Sequence, residues 1–177
     1  PAPACSWNWG YCTASLGLTQ QPLPMRALEL KIPPPVVALL LAVAMWFLPQ
    51  VVGVLPMPMG ARIAAGLVLA FIGQAISVSG MVAFRRARTT INPLNPGAAS
   101  SLVRSGVYRF TRNPMYLGLL LSLTGWAVFL AHALPFLALP FFVGYITRFQ
   151  VEPEERILGS VFGAEFTEYM RQVRRWA

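Results

Sequence analysis

Residues 115–147 read MYLGLLLSLTGWAVFLAHALPFLALPFFVGYIT, and this stretch decides the fold class. The stretch is apolar, is interrupted by His132 and Pro135, and is too long for one membrane-spanning helix. Two helices joined by a turn near His132 would each be about 24 Å long, slightly less than the ~30 Å hydrocarbon core of a bilayer. The sequence therefore predicts a hairpin of two helices in a membrane.

Two further apolar segments precede this hairpin. Residues 36–55 carry no charge and predict a first span with a bend, because Pro49, Gln50 and Gly53 interrupt the run. Residues 61–84 predict a second span, in which several small residues allow another helix to approach closely. These small residues are Gly66, Gly73, Ser77 and Gly80. The expected fold class is all-α: a polytopic membrane helical bundle of about four transmembrane helices.

The composition agrees with a membrane protein. Of the 177 residues, 56% are hydrophobic and 11% are charged, against roughly 25% charged residues in ordinary soluble domains. The net charge of +8 suits anionic lipid headgroups, whereas a nucleic-acid partner is not expected because the positive residues lie between long apolar runs. Cys5 and Cys12 lie far from the only histidine, His132, so the sequence predicts no metal site.

The positive residues also predict the orientation. Six of them lie between the second and third predicted spans: Arg85, Arg86, Arg88, Arg104, Arg109 and Arg112. The opposite loops carry only Arg62 and His132. The positive-inside rule then puts both termini and the loop 85–114 in the cytoplasm, with the bacterial inner membrane as the expected location.

The two ends of the chain differ in character. Residues 1–24 carry no charge and lack the positive n-region of a secretory signal, and the first methionine is Met25. We therefore expect an N-terminal extension at 1–24 and a single domain at 25–177. At the other end, one apolar stripe predicts an amphipathic cytoplasmic helix, either an interfacial anchor or an element that closes a site. The stripe consists of Phe166, Tyr169, Met170 and Val173.

The polar loop changes into a predicted span at RNPMYLG, residues 112–118. Asn113 as N-cap and Pro114 at the first helical position indicate an ordinary helix start. An ordinary helix start does not require a tyrosine at position 116 or a glycine at position 118. One turn into this helix, Gly118 leaves a gap that gives room for a ligand or for a neighbouring helix.

A cluster of carboxylates follows the hairpin. No acidic residue occurs in the 122 residues before Glu152, and then Glu154 and Glu155 follow it closely. An exposed helix start is one interpretation, because Pro153 suits the first helical turn. The other is a functional pair, since the hairpin returns the glutamates to the face of residues 112–118. Free N–H groups, an arginine, an aromatic ring and two carboxylates suit a zwitterion with an additional cation, which is the charge pattern of S-adenosylmethionine.

These motifs together resemble a known family. The ordered combination of GVYRFTRNPMYLG at 106–118, Glu154-Glu155 with Leu158, and FGAEFTEY at 162–169 resembles the isoprenylcysteine carboxyl methyltransferase and phospholipid methyltransferase superfamily of integral-membrane enzymes. The resemblance covers about residues 80–177. It implies methyl transfer that depends on S-adenosylmethionine.

The resemblance also implies a set of cofactor-binding residues. These are Leu102, Val103, Gly106, Tyr108, Asn113, Pro114, Tyr116, Gly118, Glu154 and Glu155. Backbone contacts are implied around Leu102 and Val103, close approach at Gly118, and recognition of the amino group by Glu154 or Glu155. Asn113 stands where many relatives have histidine, so this chain has no imidazole and no titratable donor at that position.

Tyr116 and Arg112 are the expected catalytic residues. An aromatic ring near a sulfonium stabilises its charge, with Tyr116 as first candidate and Tyr108 as second. An arginine orients a carboxylate acceptor, whereas an amine must first lose a proton to a base. A lipophilic small molecule with a carboxylate or thiol, like an isoprenylcysteine, is therefore favoured over a phospholipid amine. The alternatives of other classes are a membrane reductase that uses NADPH and a non-enzymatic protein that binds membrane lipids.

Overall fold

A computed structural model describes residues 29–48, 56–87 and 101–177. The expected extension at 1–24, the end of the first predicted span and the middle of the loop 85–114 lie outside these ranges. Within the described part the chain is helical and contains no β-strand. The α-helices are α1 (Pro34–Phe47), α2 (Met59–Arg86), α3 (Pro114–Leu130), α4 (Ala138–Ile146), α5 (Glu152–Phe162) and α6 (Ala164–Gln172).

Helices α2 and α3 are antiparallel and touch through their glycines. Seven residues are close to two helical turns, so glycines at this spacing share one face of a helix. A Cβ atom added to Gly66 would lie 3.0 Å from the carbonyl oxygen of Gly125, and one added to Gly73 would lie 2.5 Å from that of Gly118. The third member of the row, Gly80, faces Pro114. This close approach holds the start of α3 against the C-terminal half of α2.

The hairpin turns at the predicted position. Helix α3 ends at Leu130, and Ala131 adopts a left-handed conformation with φ 55°. A short 3-10 helix at Leu134–Leu137 then leads into α4. The turn near His132 is therefore confirmed.

The second arm of the hairpin is one continuous helical rod over Leu134–Phe162, in which a π-helical turn at Thr147–Val151 joins α4 to α5. Backbone N–H of Leu30 donates to the carbonyl of Phe149 at 3.0 Å, and the amide of Gln150 donates to the carbonyl of Ile32 at 2.7 Å. These bonds tie the segment before α1 to the π turn. The glutamates do lie in the first turn of α5, but they are half-buried and α5 continues the preceding rod, so an exposed helix start does not describe them.

Among the helices of the described ranges, two are long and apolar enough to cross a membrane, by length and composition: Met59–Arg86 and Leu134–Phe162. The helices α1 and α3 are apolar but shorter, with 14 and 17 residues. Helix α1 packs on α3, where the indole N–H of Trp126 donates to the carbonyl of Ala42 at 3.0 Å. The core between α1, α3 and α4 contains Val37, Met45, Leu123, Ala127, Phe142 and Ile146.

A helix also forms at the end of the chain. Gly163, with φ 53°, separates α5 from α6. Phe166 and Tyr169 of α6 are buried and pack with Leu102 and Leu158. The apolar stripe of α6 thus contacts the loop before α3 and the helix that carries the glutamates.

Candidate functional site

The start of α3 and the start of α5 meet through two pairs of side chains. Tyr116 is buried in the first turn of α3, and its phenolic O–H donates a hydrogen bond to a carboxylate oxygen of Glu154. Arg112, just before α3, donates from a terminal nitrogen to the carboxylate of Glu155 at 2.7 Å. The structure therefore brings together four of the residues that the sequence predicts for one site.

The two glutamates have different partners. The carboxylate of Glu155 also accepts two hydrogen bonds from Arg175, at 3.2 Å from Nε and 2.6 Å from a terminal nitrogen. Glu154 accepts from Tyr116 and contacts no guanidinium within the described ranges. One carboxylate is thus held by two guanidinium groups, whereas the other is hydrogen-bonded to a phenol.

The C-terminal segment lies across the start of α3. The backbone N–H of Arg112 donates to the carbonyl of Arg174 at 3.0 Å. The carbonyl of Arg175 accepts from the Asn113 side chain at 2.9 Å and from the Thr111 hydroxyl at 3.3 Å. Asn113 does occupy the N-cap position, but its side chain makes no capping bond. The predicted helix start, with Asn113 at the N-cap position and Pro114 in the first turn, is therefore confirmed, and the amide of Asn113 holds the C-terminal segment.

Tyr108 lies between α2 and α6. Its ring meets Phe84 edge-on at 5.4 Å between centroids, and its backbone carbonyl accepts from the hydroxyl of Tyr169 at 2.8 Å. Burial raises the pKa of Tyr108, with smaller contributions from the nearby Tyr169 and Glu154. Burial also raises the pKa of Tyr169 to about 12, although the guanidinium of Arg112 opposes this shift. Both phenols therefore stay protonated at neutral pH, and that of Tyr169 serves as a fixed donor.

Gly118 faces helix α2. A Cβ atom added there would collide with the hydroxyl of Ser77 and with the carbonyl oxygen of Gly73. The interpretation of this gap as room for a ligand is therefore wrong, and the alternative of a neighbouring helix is confirmed. The preceding Pro114 is buried in the same contact, against Gly80.

The predicted residues of the preceding loop pack on different neighbours. Leu102 lies against α6, whereas Val103 is buried with Ala83 at the end of α2. Gly106 begins a short 3-10 helix at Gly106–Arg109, has φ 64° and is exposed. The structure thus joins this loop to both α2 and α6, and the side chains of Leu102 and Val103 serve packing.

Sequence reasoning missed Arg175 as a member of this cluster. It left open whether the basic C-terminus is an interfacial anchor or closes a site, and no spacing along the chain links Arg175 to Glu155, 20 residues earlier. The hydrogen bond with Glu155 raises the pKa of Arg175. Thr147 of the π turn was missed as well, and its hydroxyl accepts from the indole N–H of Trp176 at 3.2 Å.

The charges of the cluster fit the amino-acid part of S-adenosylmethionine. Glu154 offers a carboxylate that no guanidinium neutralises in the described part of the chain. Arg112 keeps a buried N–H on Nε, and no described residue accepts from it. An ammonium and a carboxylate are the ligand groups that such a pair recognises.

Comparisons with known proteins point in the same direction. A model of the phospholipid methyltransferase family matches residues 61–165, more than half of the chain. An uncharacterized protein of Haemophilus influenzae is 44% identical over 62 residues, which are 35% of this chain and 98% of that protein. No solved structure matches the chain.

Two plant relatives have names that state an activity. Protein-S-isoprenylcysteine O-methyltransferase A of Arabidopsis thaliana is 29% identical over 108 residues, which are 61% of this chain and 55% of that protein. The protein of Oryza sativa subsp. indica named "Probable protein-S-isoprenylcysteine O-methyltransferase" is 31% identical over 108 residues, which are 61% of this chain and 56% of that protein. The chain therefore spans just over half the length of these two relatives. With the family match over residues 61–165, the chain belongs to the phospholipid methyltransferase family, within the superfamily that includes the isoprenylcysteine methyltransferases.

Proposed function

We propose that this protein transfers a methyl group from S-adenosylmethionine to a lipophilic acceptor at the cytoplasmic face of a membrane. The observation that carries the proposal is the meeting of α3 and α5 through the pairs Tyr116–Glu154 and Arg112–Glu155. Family membership supports it, because the plant relatives are named as methyltransferases of isoprenylcysteine.

Glu154 is the residue proposed to bind the ammonium of the cofactor. Its carboxylate is oriented by Tyr116 and meets no guanidinium in the described ranges. Glu155 is a poorer candidate, because two arginines already occupy its oxygens. A hydrogen bond between charged groups is worth more than a neutral one, so an available carboxylate gives both affinity and orientation.

Tyr116 is proposed as the aromatic residue beside the sulfonium, with Tyr108 as second candidate. The bond to Glu154 holds the phenol of Tyr116 next to the proposed ammonium site. S-adenosylmethionine supplies an electrophilic methyl group when bound, so the protein contributes mainly by positioning. The remaining cofactor contacts that the resemblance implies stay predictions. They are the backbone at Leu102, Val103 and Gly106, and the helix start at Asn113 and Pro114.

The proposed acceptor is the carboxylate or thiol of an isoprenylcysteine-like molecule. The free N–H on Nε of Arg112 is assigned to the carboxylate of the cofactor, so the choice of acceptor rests on the reactivity of the acceptor group. A carboxylate is nucleophilic at neutral pH, whereas an amine must first lose a proton. A phospholipid amine is the second candidate, because the matched family is that of phospholipid methyltransferases.

The proposed topology has four spans in the bacterial inner membrane, with both termini and the site in the cytoplasm. At 1.5 Å per residue, α1 and α3 are about 21 and 26 Å long, short of the ~30 Å hydrocarbon core. Local thinning of the bilayer or flanking residues would accommodate them. The arginines at the C-terminal end of α2 and before α3 support this orientation.

The test is equilibrium binding followed by methyl transfer. Detergent-purified protein should bind S-adenosylmethionine, and S-adenosylhomocysteine should displace it, whereas NADPH should not bind. Labelled methyl should then appear on an S-farnesylcysteine derivative in preference to phosphatidylethanolamine. Binding of NADPH alone would favour a reductase, and transfer to phosphatidylethanolamine alone would favour the second acceptor.

A further inference from the structure

Arg175 and Arg112 together hold the carboxylate of Glu155. Its Nε donates to one carboxylate oxygen at 3.2 Å and a terminal nitrogen to the other at 2.6 Å, while Arg112 donates to the first oxygen at 2.7 Å. The side chains of Arg112 and Glu155 are 13% and 15% exposed, so water screens this contact only partly. Both oxygens of Glu155 are therefore fixed by guanidinium groups.

This arrangement depends on the side chain of Arg175, but the backbone of the C-terminal segment is held independently. The carbonyls of Arg174 and Arg175 accept hydrogen bonds from Thr111, Arg112 and Asn113. Replacing the Arg175 side chain leaves these backbone bonds available. The function of the side chain can thus be separated from the docking of the segment.

We infer that Arg175 is a positioning residue of the site: it fixes Glu155, which in turn orients the guanidinium of Arg112 beside the start of α3. The inference rests on the proposed function. Without Arg175, one oxygen of Glu155 loses its partner and the carboxylate is free to rotate. Arg112 would then lose a fixed acceptor, and the N–H on its Nε would no longer point in a defined direction.

Arg174 offers a matched control. It has the same charge and precedes Arg175 in the same segment, but it is exposed, and no described residue pairs with its guanidinium. Its backbone carbonyl, which accepts from Arg112, is unaffected by a change of side chain. A general effect of removing positive charge from the C-terminus would appear equally in Arg174→Gln and Arg175→Gln.

The experiment is a double-mutant cycle on binding of S-adenosylhomocysteine by detergent-purified protein. Arg175→Gln should raise the Kd at least about tenfold and at most about 100-fold, as expected for a misplaced positioning group. Arg174→Gln should stay within about twofold of the wild type. In the Glu155→Gln background, adding Arg175→Gln should change the Kd by less than about twofold, because both changes act through one contact. Arg175→Lys should recover part of the affinity, because the lysine ammonium can donate to one oxygen of Glu155 but cannot bind both oxygens as a planar guanidinium does.

Three results would overturn the inference. The first is an equal Kd for Arg175→Gln and Arg174→Gln, and the second is a full effect of Arg175→Gln in the Glu155→Gln background. The third is an Arg175→Gln protein that does not fold while Arg175→Lys binds like the wild type. The thermal unfolding temperature of each variant separates loss of folding from loss of positioning. A wild type that fails to bind the probe contradicts the proposed function instead. The two failures are therefore distinguishable.

Discussion

The phenolic O–H of Tyr116 donates to the carboxylate of Glu154, which lies 38 residues further along the chain. This hydrogen bond joins the first turn of α3 to the first turn of α5, at opposite ends of the hairpin sequence. It also orients the carboxylate that no described guanidinium neutralises. The proposed cofactor site is thus formed by the return of the hairpin, and its parts can be tested separately.

Glu154→Gln should weaken binding of S-adenosylmethionine more than any other single change in the pair of glutamates. Removing the charge from a hydrogen-bonded contact costs about 1.5–3 kcal/mol, or roughly 10- to 150-fold in Kd. Isothermal titration with detergent-purified protein measures this loss. Glu155→Gln is the comparison, and a larger effect there would reassign the ammonium to Glu155.

Substitutions at Tyr116 test the contact with the sulfonium. S-adenosylmethionine carries the sulfonium and S-adenosylhomocysteine does not, so a ring beside the sulfur favours the former. A cation–π contact contributes about 0.5–2 kcal/mol, so Tyr116→Leu should lower the ratio of the two affinities by roughly 2- to 30-fold. Tyr116→Phe, which keeps the ring, should preserve the ratio. An unchanged ratio in the leucine variant would remove Tyr116 from the sulfonium site.

Gly118→Ala should destabilise the fold rather than block the cofactor. The added methyl group would collide with Gly73 and Ser77 of α2. Gly144→Ala is the control, because no atom lies within 4 Å of a Cβ added there. We expect a clearly lower thermal unfolding temperature for Gly118→Ala and little change for Gly144→Ala. Similar temperatures with lost cofactor binding in Gly118→Ala would restore the ligand interpretation.

Reporter fusions test the orientation. Two kinds of reporter are used, one that is active only in the cytoplasm and one that is active only after export. At the C-terminus only the first kind should be active, and within residues 56–58 only the second kind should be active. The reason is the concentration of arginines at the end of α2 and before α3. Detection of both reporters in the same compartment would contradict four spans.

Tyr169 predicts a specific sensitivity to alkaline pH. Its pKa is raised to about 12 in the folded protein from 10.0, so the folded state keeps a proton that the unfolded state loses. This contribution to the free energy of unfolding is complete below pH 10 and is lost as the pH rises towards 12. Between about pH 9 and about pH 11, Tyr169→Phe should therefore lose less thermal stability than the wild type. Equal losses would show that this phenol does not contribute.

The hairpin and its turn were predictable because they depend on local hydropathy and on the break around His132. Whether Gly118 makes room for a ligand or for a neighbouring helix was not predictable. The answer depends on which face of α3 meets Gly73, and the glycines of both helices set that face. The small residues of α2 were a usable signal. Only the pairing of the two rows was missing from the sequence argument.

The different partners of Glu154 and Glu155 lay beyond sequence reasoning for another reason. Consecutive helical residues point about 100° apart, so the two glutamates had to face different neighbours. Which neighbours these are depends on where Arg175 lies, and it reaches Glu155 only after α5 and α6 have folded back. Tertiary packing, not local helix propensity, therefore decides which neighbour each glutamate contacts.

The π turn at Thr147–Val151 corresponds to one residue inserted into an otherwise regular helical rod. Because the wider turn absorbs this extra residue, α4 and α5 face nearly the same directions that they would have in an uninterrupted α-helix. A single-residue deletion in residues 147–151 that restored α-helical winding would therefore leave Glu154 on its present face. It would, however, remove the turn whose Phe149 carbonyl and Gln150 side chain bind the segment before α1. The extra residue thus acts as a clasp for the N-terminal segment, and the site on α5 inherits no change of direction from it.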